Sequence, residues 1–263
     1  MLVFTANLTA ANIQKRMTRM TNARTYTTVF FDLDGTLLPM DTDVFLRGYM
    51  KGLGIYMAEH GLDAEKGMKA LMAGVKSMGN GEEPSSNAEK FWTVFESIMG
   101  MSIEEGAPFF LDFYNGPFNA IAEDVQPNPS AARAIRTLKA KGYRLAVTTM
   151  PMFPVQAVHN RLRWAGLDPQ DFMFVTDYET NTSVKPYARF YEEALQRAGV
   201  DGSQVLMVGN HNLEDGAATK LGCDLYLVTD HLLTAEGGTS LDECKHGSME
   251  DFARFCDELP SLI

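Results

Sequence analysis

Short apolar runs, each ending in a polar cluster, recur along this chain and narrow its folding options more than any other feature. They occupy residues 29–31, 143–148, 172–176, 205–208 and 225–229. Each is too short for a core helix and lacks the alternation of a half-solvated sheet, so each reads as a strand buried on both faces. Helical stretches lie between them. Asn128 and Pro129 supply a cap and a first-turn proline for a helix over 131–141, which Gly142 closes. Pro186 opens another helix ending near Gly199, and Gly222 closes the one before the last run. Strand alternating with helix predicts an α/β fold with a Rossmann-like parallel sheet.

Residues 41–127 break this rhythm. They show helical periodicity, no convincing strand, and breaks at Gly79-Asn80-Gly81, Pro84-Ser85-Ser86-Asn87 and Gly100. Phe91, Trp92, Phe95, Phe109, Phe110, Phe113, Tyr114 and Phe118 are expected to form the core of a small helical domain inserted after the first strand. The expected layout is a core of residues 26–40 and 128–263, an all-helical cap over 41–127, and an extension over 1–25.

Composition sets limits on partners. Against 34 Asp and Glu there are 23 Lys and Arg, and the net charge of −11 argues against nucleic acid or an anionic membrane as partner. No apolar run approaches the roughly 18–20 residues that would cross a bilayer. Cys223, Cys244 and Cys256 form no Cys-x-x-Cys pair, and reduced thiols in a cytoplasmic protein account for them. Residues 1–24 carry Lys15, Arg16, Arg19 and Arg24 and no acid. Their apolar part precedes the basic one, the reverse of a secretory signal. A poorly ordered extension is expected there in preference to an organelle presequence.

In an open α/β sheet, ligands bind beyond the carboxyl ends of the strands. After the first run come Asp32 and Asp34, two apart, so an extended backbone sends both carboxylates the same way. Such a pair repels unless a cation lies between them or one holds a proton. Gly35 permits the turn out of the strand. Thr149 follows the second run, Lys185 lies past the third, and Asn210, Glu214 and Asp215 follow the fourth. Acids, a hydroxyl and a lysine at neighbouring strand ends are the parts a phosphoryl-transfer site needs.

The runs Val-Phe-Phe-Asp32-Leu-Asp34-Gly-Thr-Leu-Leu, Leu-Ala-Val-Thr-Thr149, Val-Lys185-Pro and Val-Gly-Asn210-x-x-x-Glu214-Asp215 resemble, in order, the four motifs of the haloacid dehalogenase superfamily. The helical insertion resembles the cap of its phosphoglycolate-phosphatase-like and phosphomutase-like branch. The resemblance implies that Asp32 is the nucleophile that becomes an aspartyl phosphate and that Asp34 is the general acid and base. It also implies that Thr149 and Lys185 hold the phosphoryl oxygens. Mg²⁺ is implied as cofactor, held by Asp32, the Asp34 carbonyl, Asn210 and an acid of the fourth motif, Asp215 or Glu214. The implied substrate is a small phosphorylated metabolite. A phosphomutase on the same machinery, or a non-catalytic binding protein, are the alternatives.

Two positions depart from the pattern. The fourth motif usually opens with Asp where this chain has Asn210, which keeps an oxygen ligand but no charge and should weaken metal binding. The second motif commonly continues with Asn where this chain has Met150-Pro151. The oligomeric state is not legible.

Overall fold

The computed structural model describes residues 26–80, 83–122 and 125–263, so the expectation for the extension at 1–25 lies outside the described residues. The sheet comprises β1 (Thr28–Phe31), β2 (Arg144–Val147), β3 (Val205–Gly209), β4 (Asp224–Val228) and β5 (Lys245–Gly247). All pairings are parallel, in the order β2-β1-β3-β4-β5. The chain leaves β1 for β2 on one side and returns to β3 on the other. This makes the carboxyl end of β1 a topological switch point, where a crevice opens. Register sharpens the arrangement: Phe31 is level with Val147 on one side and Val208 on the other. The next residues, Asp32, Thr148 and Gly209, therefore emerge side by side.

Neighbouring strand residues face opposite sides of the sheet, and both sides are covered. Val29, Phe31, Val147 and Val208 pack into one apolar cluster, while Phe30, Ala146, Met207 and Leu227 pack into a second. The second is closed by Phe190, Tyr191 and Ala194 of α7 (Ala188–Ala198). The first is closed by α5 (Pro129–Ala140) and the C-terminal α8 (Met249–Glu258), with Ile135, Leu138 and Phe252 fully buried. The helix over 131–141 starts at Pro129 with Asn128 as its cap, as expected.

Between β1 and α5 the chain is helical. Among the described residues four helices occur, α1 (Thr42–Glu59), α2 (Ala64–Met78), α3 (Asn87–Met99) and α4 (Ile103–Asn115), followed by a 3₁₀ turn over Pro117–Ala122. Side chains set the boundaries. Asp41, Asp63, Ser86 and Ser102 each accept a hydrogen bond from a first-turn amide, and Ser86 and Ser102 complete reciprocal boxes with Glu89 and Glu105. Phe91, Trp92, Phe95, Phe110, Phe113, Tyr114 and Phe118 are buried. Phe109 is only partly covered. Among the described residues no helix is long and apolar enough to cross a membrane.

One expected strand is reduced in form. Residues 172–176 lie along the free edge of β2, with Met173 donating to the Leu145 carbonyl at 2.7 Å and Thr176 to that of Val147 at 2.9 Å. Only a single bridge, Val147 to Val175, results. The 3₁₀ turn Pro169–Asp171 just before, and the turn that begins at Tyr178, leave too few extended residues for a longer ladder.

Candidate active site

The crevice at the end of β1 gathers the residues singled out at the strand ends. The Asp32 amide donates to the Val208 carbonyl at 2.8 Å, extending the ladder by one residue and fixing where its side chain emerges. Gly35 then turns the chain at φ +79°. A Cβ there would lie 2.3 Å from Asn210 Nδ2, so both backbone angle and space require glycine.

Lys185 sits between two of the acids. Its Nζ lies 2.8 Å from Asp32 Oδ1 and 2.6 Å from Asp215 Oδ1. Asp215 and Lys185 are almost wholly buried, and Asp32 nearly so. The Asp215 Oδ2 accepts from the His211 amide at 2.9 Å. A Cβ on Gly209 would lie 2.1 Å from that oxygen, so β3 ends in glycine because a carboxylate occupies the space. Burial raises the Asp32 carboxyl above its ordinary range, with Asp215 adding to the effect and Lys185 opposing it. Burial would lower the Lys185 ammonium, but Asp215 and Asp32 outweigh it and hold the group well above its ordinary value. The lysine stays charged.

Asp34 points to a different partner, one that the sequence did not announce. Its Oδ2 accepts from Arg161 on α6 (Val155–Trp164), and Arg161 is 1% exposed. The guanidinium lies 4.6 Å from the Phe153 ring centroid and 5.8 Å from that of Phe45. Asp34 Oδ1 and Arg161 Nη2 are buried without a hydrogen-bond partner among the described residues. Burial raises the Asp34 carboxyl, and Arg161 opposes the rise.

The remaining expected residues divide. Thr149 is buried, and its carbonyl accepts from the Thr176 hydroxyl at 2.6 Å. Thr148 turns its hydroxyl away, onto Met207 Sδ at 3.4 Å. Asn210 is buried, its Nδ2 donating to the His231 carbonyl at 2.7 Å. That bond leaves Oδ1 facing the Thr36 hydroxyl at 3.3 Å, and the same hydroxyl lies 3.3 Å from Asp32 Oδ2. Glu214 meets its surroundings through its backbone: its carbonyl accepts from the Tyr191 hydroxyl and its amide donates to His211 Nδ1. Of the two acids left open by the sequence, Asp215 is the one brought to Lys185.

The donor set bears on metal binding. Among the described residues no three His, Cys, Asp or Glu side chains cluster closely enough to hold an ion. Asp32 Oδ2 and the Asn210 amide oxygen nonetheless converge on one hydroxyl. Oxygen-only donors of this kind suit a hard divalent cation.

Beside the crevice, an apolar cavity of about 210 Å³ opens among α1–α4, lined by Tyr49, Leu71, Trp92 and Tyr114 and floored by Phe153. None of the acids or Lys185 lines it. Phe153 joins the two spaces, since its ring also carries Arg161.

Comparison with known proteins gives consistent matches. The profile of the haloacid dehalogenase-like hydrolases matches residues 26–221. A glyceraldehyde 3-phosphate phosphatase of Methanothermobacter thermautotrophicus is 31% identical over 211 residues, covering 79% of this chain and 88% of the relative. A 2-haloacid dehalogenase from Pseudomonas syringae pv. tomato superposes with a TM-score of 0.58 at 23% identity, over 87% of this chain and 97% of that one. The HAD phosphatase of Thermococcus onnurineus gives 0.55 at 14% identity, over 90% and 100%. At such identities the two structures speak for the fold alone.

Proposed function

The chain belongs to the haloacid dehalogenase-like hydrolases, and we propose that it is a Mg²⁺-dependent phosphatase of a small phosphorylated metabolite. The observation that carries this reading is the Asp32–Lys185–Asp215 cluster at the switch point of the sheet, with Asp34 two residues from Asp32. The buried ammonium is a fixed positive group at the site, and the two carboxylates around it exceed its charge by one, which a divalent cation would offset so that an anionic phosphoryl group could bind. Asp34 supports phosphate over halide chemistry, because dehalogenases of this superfamily lack the second acid.

In the proposed reaction, an Asp32 carboxylate oxygen attacks phosphorus and the bond to the leaving oxygen breaks. Asp34 gives that oxygen its proton. The Oδ1 that has no partner is the atom suited to this, since Oδ2 is held by Arg161. Asp34 then takes a proton from water, which attacks the aspartyl phosphate and frees Asp32 and inorganic phosphate. Lys185 and Thr149 hold the phosphoryl oxygens as charge builds. Asp32, the Asp34 carbonyl, Asn210 and Asp215 would hold Mg²⁺, which would offset charge on the phosphoryl oxygens.

The helical segment 41–127 acts in this reading as a cap that selects the leaving group, supported by the cavity that shares Phe153 with the site. The relative from Methanothermobacter thermautotrophicus makes glyceraldehyde 3-phosphate the first substrate to try. A cytoplasmic setting suits the three cysteines.

The test is phosphate release from para-nitrophenyl phosphate, glyceraldehyde 3-phosphate and a panel of sugar and nucleotide monophosphates, with and without Mg²⁺. Turnover that needs Mg²⁺ and disappears in Asp32→Asn is expected. Transfer of the phosphoryl group to a second sugar hydroxyl would make the protein a mutase. Folded protein with no turnover across the panel would overturn the catalytic reading.

A further inference from the structure

Asn87 is the first residue of α3, yet it reaches the two loops that carry Thr149 and Lys185. It is fully buried. Its Nδ2 donates to the Pro151 carbonyl and to the Ser183 carbonyl, each at 3.2 Å. Pro151 lies two residues after Thr149, and Ser183 two before Lys185. The Asn87 amide donates to the Asn181 carbonyl at 2.8 Å, and that of Ala88 to the Tyr178 carbonyl at 2.7 Å. One turn on, buried Lys90 donates to the Thr182 carbonyl at 2.6 Å.

Chemistry fixes the side chain's role. Both carbonyls only accept, so the atom facing them is the amine of the amide. Asp has no donor to offer at that atom, Ser has one hydrogen where two are needed, and Leu has none. Asn87 Oδ1 and the Ser183 hydroxyl are meanwhile buried without a partner among the described residues.

We propose that Asn87 is a positioning residue: from the helical segment it holds the Thr149 and Lys185 loops in register with each other. For catalysis this rests on the phosphatase reading. The clamp itself rests on the contacts alone. It also makes the start of α3 a fixed attachment of the helical segment to the core, close to the reacting groups, so that segment cannot swing away without disturbing them.

The experiment compares Asn87→Leu, Asn87→Ser and, as reference, Trp164→Phe. The last removes a different tie between core and helical segment, Trp164 Nε1 to Asn119 Oδ1 at 3.1 Å. Two quantities are read: kcat and KM with para-nitrophenyl phosphate, and amide hydrogen exchange in peptides covering 148–152 and 182–185. Asn87→Leu is expected to lower kcat by roughly 10²-fold, the scale of a misplaced catalytic group, with KM changed less than threefold. Exchange should speed up in both peptides. Asn87→Ser, with one donor left, should fall between and serves if the leucine variant does not fold. Trp164→Phe should lower the unfolding temperature and leave kcat and both peptides unchanged.

Wild-type kcat in a folded Asn87 variant, or unchanged exchange at the two loops, overturns the proposal. So does an equal kcat loss in Trp164→Phe, because the effect would then be general loosening. A wild type that hydrolyses nothing overturns the phosphatase reading and with it the catalytic role. The exchange arm would still decide the clamp.

Discussion

Arg161 donates to Asp34 from a slot between the rings of Phe45 and Phe153, so an acid of the first motif is held by a cation from a helix that none of the four motifs includes. The rings keep water from the guanidinium, and Asp34 Oδ2 accepts its hydrogen bond. Breaking a buried pair by removing one partner costs far more than the pair contributes.

Arg161→Met is therefore expected to destabilise the protein by about 3 kcal/mol at neutral pH. The pH dependence has a definite sign. Burial already raises the folded-state pKa of Asp34, and without Arg161 only the weaker pull of Lys185 opposes it. An acid with a raised folded pKa contributes stability below its unfolded pKa, about 3.9, and loses it as pH rises through the folded value. The gap between variant and wild type should thus be small in acid and widen towards neutrality. Urea unfolding at a series of pH values checks this, and a gap constant with pH would refute it.

Asn210→Asp restores the acid common in the fourth motif but places it in a site built for an amide. The present Nδ2 donates to the His231 carbonyl, and a carboxylate oxygen there would face another acceptor. Without metal, the variant should be less stable than wild type by about 1–3 kcal/mol. Mg²⁺ should offset this loss, because a ligand that binds only the folded state stabilises it by RT ln(1 + [L]/Kd), more at a given concentration the tighter it binds. Thermal midpoints over a Mg²⁺ series should begin to rise at lower Mg²⁺ in the variant. The same onset in both proteins would remove Asn210 from the proposed metal set.

Gly209→Ala tests how tightly Asp215 is placed. The added methyl would overlap the Asp215 carboxylate, and β3 is too firmly hydrogen-bonded between β1 and β4 to yield. The carboxylate must move, withdrawing one of the two acids on Lys185. Overpacking of this kind costs about 1–3 kcal/mol, and hydrolysis should fall well beyond what that loss explains. Unchanged turnover would show that Asp215 need not stand where it does.

Physical pattern decides which of these features the sequence displays. The strand ends are legible because strands buried on both faces must be short and apolar, and Asp32, Thr149 and Asn210 interrupt them abruptly. Arg161 is not. On a short amphipathic helix, one arginine among Asn160 and Arg163 looks solvated, and only the fold turns it inward. Asn87 reads as an ordinary helix-start residue after the Ser86 cap. β5, formed by Lys245, His246 and Gly247, carries no apolar signal at all. The helix after it did leave a mark, the Ser248–Asp251 box at its start. Between Glu214 and Asp215, spacing could not choose, because one residue of backbone turn decides which carboxylate faces Lys185.

The aromatic packing has a consequence for how the protein comes apart. Phe45 and Tyr49 of α1 lie against Phe153, Phe118 lies 4.7 Å from Trp164, and the Tyr114 carbonyl accepts from Asn160 of α6. Rings from the helical segment thus complete the apolar environment of a core helix. Heat should not melt one part and leave the other standing: a single cooperative transition, with its calorimetric and van't Hoff enthalpies in agreement, is the behaviour this interlocking requires.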